Sequence, residues 1–154
     1  MHQNNEEVGG RGLALSRMVV AGCFLILSVV VIVFIARGYY LAVNSQLPSN
    51  LTFGFRSSST LSSESAWYAS QKAGFSWLFF GACPVLLIAS TLTLISISFR
   101  KSFIELVAIS TAAWLLVVGI GVIAGIQAQN AAKNASAAES TRGIHDGPMA
   151  LGIR

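Results

Sequence analysis

The sequence contains a run of 19 residues without a charged side chain, 18–36, bracketed by Arg17 and Arg37. An α-helix rises 1.5 Å per residue, so this run nearly covers the roughly 30 Å hydrocarbon core of a bilayer. A helix also satisfies its own backbone hydrogen-bonding groups, which lipid cannot do. The run therefore predicts a membrane-spanning helix, and the apolar residues beyond Arg37 allow it to extend to Val43.

A cleaved signal peptide is the alternative interpretation of this run, because Arg11 and Arg17 place positive charge ahead of an apolar stretch. The apolar part of a signal peptide normally has about 7 to 15 residues, and no small-residue cleavage motif ends this longer run. The sequence therefore favours an uncleaved signal anchor.

Two further apolar runs follow. One has 27 uncharged residues between Lys72 and Arg100, and the other extends from Phe103 to about Ile126 with Glu105 as its one charged residue. Each run is long enough to cross a bilayer as a helix.

The predicted fold is therefore all-α, a polytopic membrane protein with three transmembrane helices, the last two forming a tight hairpin. Its predicted segments are an N-terminal tail (1–17), a first span (18–43), a Ser/Thr-rich loop (44–72), a second span (73–99), a turn (100–102), a third span (103–128) and a C-terminal tail (129–154). Trp67, Tyr68 and Trp77 are predicted to anchor the second span at the membrane interface, and Pro84 is predicted to bend it.

The loop is rich in hydroxyl side chains, with eleven Ser or Thr residues among the 29 of 44–72. This composition lacks the apolar periodicity of a buried core, so it predicts a solvated connector, with a short helix from Glu64 to Lys72. The tails 1–12 and 129–154 consist of polar and small residues and are predicted to be disordered.

The turn that carries Arg100 and Lys101 sets the predicted orientation, because the positive-inside rule places such a short basic turn in the cytoplasm. The N-terminus is then cytoplasmic and the C-terminus lies outside, in the plasma membrane or an endomembrane. A count of every cation favours the reverse, with four inside and six outside, although several of the six lie far from a span. Under this topology, the N-glycosylation sequons at Asn50 and Asn134 face the lumen or the exterior.

Few residues are available for chemistry. The only histidines, His2 and His145, and the only aspartate, Asp146, lie in the tails, so we expect no metal site and no cofactor. Cys23 and Cys83 lie at different predicted depths in the membrane. A disulfide needs Cα atoms within about 7 Å, so none is predicted between them. The cations are scattered along the chain instead of forming the clustered basic face that nucleic acid requires, so no nucleic-acid partner is predicted.

Glu105 is the one acidic residue within an apolar run, and intramembrane acids often have functional roles. It lies four residues after Lys101, and this spacing allows a side-chain pair on one helix face. The structural interpretation is therefore an ion pair at the membrane interface. A proton-transfer or substrate-binding role is the functional alternative.

Small residues recur on the third span at helical spacing. Gly121 and Gly125 form a small-xxx-small motif, and Ala108 and Ala112 mark a second close-approach face. Because lipid provides no hydrophobic drive between helices, such small residues promote close helix packing. The partner of these helix-packing residues is either another helix of this chain or another subunit.

These features favour a non-enzymatic function, as an organiser or accessory subunit of a membrane assembly. The predicted partners are the lipid bilayer and a membrane protein or second copy bound through the third span. One alternative is a small metal-free enzyme or accessory factor of lipid or apolar-metabolite biosynthesis that uses Glu105 or Glu64 as an acid or base. A second is an oligomeric transporter component that uses Glu105.

Overall fold

A computed structural model describes residues 3–49, 53–99 and 102–145, and these residues form helices joined by one long loop. Helix α1 is Gln3–Val43, α2 is Glu64–Trp77, a π-helix is Leu78–Ala82, α3 is Cys83–Ser98, and α4 is Phe103–His145. No strand occurs among the described residues.

Three helical segments of the described chain are long and apolar enough to cross a bilayer: Ala14–Val43, Glu64–Ser98 and Phe103–Arg142. In the most apolar stretch of each segment, between 11% and 28% of the residues are buried inside the protein. The remaining apolar side chains face outward, which is stable only where lipid covers them. The predicted all-α fold with three transmembrane helices is confirmed.

Two compact units can be distinguished, and the first comprises Met1–Ala36 and Leu78–Gly121. One of its apolar clusters contains Phe24, Ala89 and Ala113, and the other contains Ile35, Ala82 and Cys83. Small side chains such as these alanines let helix backbones approach closely, which is the main source of packing energy between helices in lipid.

The second unit comprises Arg37–Trp77 and Val122–Arg154. Its buried residues come from the end of α1, from the loop, from α2 and from one face of α4, where Ala124, Ala128 and Ala132 have no solvent exposure. These three alanines are four residues apart, so they form a single stripe along α4.

The π-helix of residues 78–82 lies directly before Pro84, the residue that the sequence predicts to bend the second span. A proline ring clashes with the preceding turn of an α-helix, and a widened turn accommodates it. Gly81 lies within this widened turn against Ile120 of α4, where a Cβ atom would stand 2.9 Å from the Ile120 Cγ2 atom. The widened turn therefore accommodates the ring of Pro84, and the close approach of Ile120 favours glycine at position 81.

Two helices extend beyond the predicted spans. Helix α4 continues to His145, so residues 129–145 are helical instead of disordered, while 146–154 lie outside the described residues. The extension is rich in alanine, the strongest helix former, and it propagates from a helix that the membrane already stabilises. Helix α1 likewise begins at Gln3, within the tail predicted to be disordered.

Substitution of Gly38 should reveal the close contact between α1 and α2. A Cβ atom at Gly38 would overlap the buried ring of Phe75, whereas one at Gly22 of the same helix would meet nothing within 4 Å. Gly38→Ala and Gly22→Ala gain the same helix propensity, so we expect Gly38→Ala to be less stable than Gly22→Ala by about 1–3 kcal/mol. Unfolding by SDS titration in mixed micelles measures this difference, and equal stabilities would contradict the contact.

Candidate functional site

The most elaborately built part of the described chain is the loop between α1 and α2, residues 44–63, here called the interhelix loop. Its main fixed point is Gln71 of α2, which is fully buried. The backbone N–H of Phe55 donates to Gln71 Oε1 at 2.9 Å, and Gln71 Nε2 donates to the Phe55 carbonyl oxygen at 2.8 Å. One side chain thus satisfies both backbone groups of a loop residue, as a neighbouring strand would.

Gly54 makes this hydrogen-bonded pair possible. Its φ angle of 115° lies in a region that side chains disfavour, and a Cβ atom there would collide with Gln71 Oε1. The glycine therefore turns the chain so that Phe55 faces the Gln71 amide.

A second fixed point is Trp67, which is 1% exposed. Its indole Nε1 donates to the carbonyl oxygen of Leu47 at 2.6 Å, and the Leu47 side chain is fully buried. The sequence-based assignment of Trp67 as an interface anchor is therefore wrong, because this ring lies inside the second unit. The rings of Tyr40 and Trp77 are 62% and 47% exposed, and the interface role of Trp77 stays a prediction.

Three phenylalanine rings fill the space beneath the loop. The Phe53 ring stacks on the buried Phe75 ring with centroids 5.3 Å apart, and the Phe55 ring meets Phe75 edge to face at 5.5 Å. Gly74 lies directly under the Phe55 ring and has no room for a side chain. The loop therefore has a small aromatic core, which the sequence analysis did not predict.

The hydroxyl residues order the loop instead of merely solvating it. The backbone N–H of Ser57 donates to Thr60 Oγ1 at 2.8 Å, and Thr60 Oγ1 donates to the Ser57 carbonyl oxygen at 3.0 Å. Ser63 Oγ accepts from the N–H of Ala66, so Ser63 caps the start of α2. The expected solvated connector is thus a folded segment, because short polar side chains replace missing backbone partners.

The loop and α2 also bind the extension of α4. The Ser62 and Ser136 hydroxyls are 2.8 Å apart, and Ser65 Oγ donates to Glu139 Oε2 at 2.9 Å. The hydrogen bond from Ser65, with a further one from Ser63, holds the pKa of Glu139 below its usual range. The predicted C-terminal tail is therefore helical partly because its polar side chains find partners here.

A pocket of about 270 Å³ opens at the start of α2, lined by Ser49, Leu61, Ser63, Glu64 and Trp67. Glu64 is exposed and contributes the only charged group in this lining. The pocket therefore presents polar groups at the loop surface, and its charged side chain stays exposed to solvent.

The predicted polar site residues lie in separate places. Glu105 is exposed in the first turn of α4, where its backbone N–H donates to Ser102 Oγ, and Lys101, its predicted ion-pair partner, lies outside the described residues. Asn50 also lies outside them, and Asn134 is exposed on α4. The ion pair and the glycosylation of both sequons stay predictions.

The four predicted helix-packing residues are not fully buried in the described structure, and their contact with another subunit stays a prediction. Ala108 and Ala112 are exposed, and a Cβ atom at Gly121 or Gly125 would meet no described side chain within 4 Å. The close approaches within each unit occur instead at Gly38, Gly74 and Gly81, each beside a large side chain, and at the buried alanines of α4. The sequence shows a glycine at each of these places. Residue spacing alone, however, does not distinguish the glycines that contact large side chains from Gly121 and Gly125.

The described residues contain no group of three or more His, Cys, Asp or Glu side chains that could hold a metal ion. Cys23 and Cys83 are both free thiols, one exposed and the other buried.

These features define a class: a small helical membrane protein with three spans and one folded loop on the side of the membrane where α1 ends. Residues 46–128, just over half of the chain, match the SdpI/YfhL protein family, and the chain belongs to this family. The matching region contains residues 46–63 of the interhelix loop, α2, the π-helix, α3 and the apolar part of α4, and it begins after α1. No curated protein and no solved structure gives a significant match to the chain.

Substitution of Gln71 should unfold the interhelix loop. In Gln71→Glu, a carboxylate can still accept from the Phe55 N–H but cannot donate to the Phe55 carbonyl, and it must be buried as a charge. We expect a loss of about 2–3 kcal/mol and faster cleavage of the loop in limited proteolysis. Gln46→Glu is the matched control, because Gln46 is exposed in the same loop. Equal cleavage rates would refute the role of Gln71.

Acid should release the α4 extension from the loop. Because hydrogen bonding lowers the pKa of Glu139 in the folded protein, its contribution is complete above the usual value of 4.5 and is lost as the pH falls through the lower folded value. The protection factors of the amides in residues 132–142, corrected for the intrinsic pH dependence of exchange, should therefore fall in that acidic range. In Ser65→Ala the protection should already be lower at neutral pH and should fall by less on acidification, and an unchanged profile would contradict the hydrogen bond.

Proposed function

We propose that this chain is a non-enzymatic accessory subunit of a membrane assembly, and that the interhelix loop is the surface that binds its partner. The observation that carries the proposal is the double hydrogen bond between Gln71 and Phe55, which fixes the backbone of the loop at Phe55. A connector that only joined two spans would need no buried amide, no capped turn and no aromatic core.

Order in the loop favours binding for an energetic reason. A surface that is rigid before association loses little conformational entropy when the partner docks, so more of the contact energy appears as affinity. Exposed residues such as Pro48, Ser58 and Leu61 lie on this framework and are available for contact. Binding residues are often carried on loops that a rigid scaffold positions.

The exposed face of α4 provides a second contact surface, within the membrane. Ala108 and Ala112 line a shallow apolar groove together with Phe103, Val107 and Leu115. Small residues on a lipid-facing helix surface permit the close approach of another helix. This supports a membrane-embedded partner or a second copy of the chain.

The acidic side chains offer little support for catalysis. Glu64, Glu105 and Glu139 are all exposed, whereas carboxyl groups that act as general acids or bases are commonly desolvated. The pKa of the Glu139 carboxyl is lowered, whereas desolvation raises it.

Affinity purification of the full chain from native membranes in mild detergent tests this proposal, with quantitative mass spectrometry of the copurified proteins. We expect a membrane protein in near-stoichiometric amount with the wild-type chain and with Gln46→Glu. Its recovery should fall about tenfold with Gln71→Glu, because the loop loses its fixed conformation.

Ser58→Arg serves as a second variant, since Ser58 is exposed and the added bulk changes the loop surface without touching the Gln71 amide. It should reduce recovery while leaving thermal stability unchanged. The proposal fails if no stoichiometric partner is found, or if its recovery is the same with every variant.

A further inference from the structure

We propose that the pocket at the start of α2 binds the side-chain ammonium group of a lysine residue on the protein partner. The identity of this occupant rests on the proposed function, because the lysine is one contact that the partner makes with the interhelix loop. The affinity of the pocket for an ammonium group can be measured without the partner.

The pocket combines acidic, hydroxyl and apolar side chains in one small space. Its lining consists of Ser49, Leu61, Ser63, Glu64 and Trp67, and all five residues belong to the second unit. Because these side chains line one pocket, a group that enters it meets all three kinds of surface.

The charge of the lining selects a cation. Glu64 is the one charged residue of the lining, it is exposed, and it forms no ion pair with any described residue. A second carboxylate lies close by, since the Ser63 hydroxyl donates to Glu139. Carboxylates are negatively charged at neutral pH, so they repel an anion and attract a cation. The positive end of the α2 dipole is balanced by Glu64 itself, which lies in the first turn.

The acceptor atoms of the lining match an ammonium group. A lysine ammonium has three N–H donors and no acceptor. The Glu64 carboxylate offers two oxygen atoms, and the Ser49 hydroxyl offers a third. The Ser63 hydroxyl is already bound to the Ala66 N–H and to Glu139, so it holds the start of α2 in place.

The apolar part of the lining suits the stem of a lysine. Leu61 is 45% exposed, whereas Trp67 is 1% exposed. The four-carbon stem of lysine commonly lies along apolar surface while the charged end reaches a polar partner. The pocket volume of about 270 Å³ is just below the range of about 300–1,000 Å³ for small-molecule sites, so it suits one side chain better than a larger ligand.

The position of the pocket favours a protein over a lipid as the source of the amine. Glu64 precedes Lys72, the last charged residue before the apolar stretch of the second span, by eight residues. This separation is about 12 Å along α2, so the pocket lies on the aqueous side of the end of the span. A protein docked on the interhelix loop therefore reaches Glu64 more readily than the amine of a phospholipid headgroup does.

Fluorine NMR of the full chain in phosphatidylcholine nanodiscs tests the pocket. The chain is labelled with fluorotryptophan, and the Trp67 resonance is assigned with Trp67→Phe. The first probe is Nα-acetyl-lysine amide, and the second is the same compound acetylated on its side-chain amine, which removes the charge. At constant ionic strength, we expect the lysine probe to shift the Trp67 resonance with a Kd about fivefold lower than that of the neutral probe.

Two matched variants identify the charge that binds the probe. Glu64→Gln keeps the size of the side chain, removes its charge and should raise the Kd of the lysine probe about fivefold. Glu105→Gln is the control, because Glu105 is also an exposed acid in the first turn of a helix but lies outside the second unit. It should leave the Kd unchanged. The comparison of the two probes needs no variant, so it stands even if Glu64→Gln disturbs the loop.

Carbodiimide cross-linking in native membranes identifies the source of the amine, because this reagent joins a carboxylate to an amine in contact with it. We expect Glu64 to be joined to a lysine of the copurified membrane protein, and Glu64→Gln should lower the recovery of that protein about fivefold. Phosphatidylethanolamine added to the nanodiscs should leave the Kd of the lysine probe unchanged.

The inference is overturned if the two probes bind equally, if Glu64→Gln leaves the Kd unchanged, or if Glu105→Gln raises it equally. It is also overturned if phosphatidylethanolamine displaces the lysine probe, or if the partner is recovered without a cross-link at Glu64. If no membrane protein copurifies although the lysine probe binds as expected, the proposed function fails and the ammonium site stands.

Discussion

The satisfaction of backbone hydrogen-bonding groups governs every part of this structure. Within the lipid, only helices can provide it locally, so the apolar stretches are continuous helices and even Pro84 is accommodated by a widened turn instead of a break. Between α1 and α2 the chain is not helical, and side chains provide the hydrogen-bond partners of the backbone groups. Gln71 pairs with the backbone of Phe55, and Trp67 donates to Leu47.

Packing between helices follows a different rule from that of soluble proteins. Apolar side chains are exposed over most of each span, because burial from water is provided by the bilayer and not by the protein core. Stability then depends on close contact at small residues, such as Gly38 against Phe75 and the stripe of Ala124, Ala128 and Ala132. Contacts of this kind stabilise each of the two units.

Membership of the SdpI/YfhL family draws attention to the interhelix loop, because the matching region begins near the start of that loop and continues through α2 and α3. In its described residues, the loop has backbone groups bound by Gln71 and Trp67, a small aromatic core and hydrogen bonds to the α4 extension. It thus forms an ordered surface beside the membrane. The accessory role proposed above would use this surface.

The sequence by itself determined the solvent and the number of spans, because uncharged runs of 19 residues or more have one stable outcome in a bilayer. It did not determine the interhelix loop. The partners of Gln71 and Trp67 are 16 and 20 residues away along the chain, and no local periodicity records them. Nor did it distinguish Gly38, which lies against a ring, from Gly121, where a Cβ atom would meet no described side chain within 4 Å, since both have a small residue four positions further along. The alanine-rich end of α4 had the propensity for a helix, but its contacts with Ser62 and Ser65 exist only in the folded chain, because tertiary structure alone brings residues 74 positions apart into hydrogen-bonding distance.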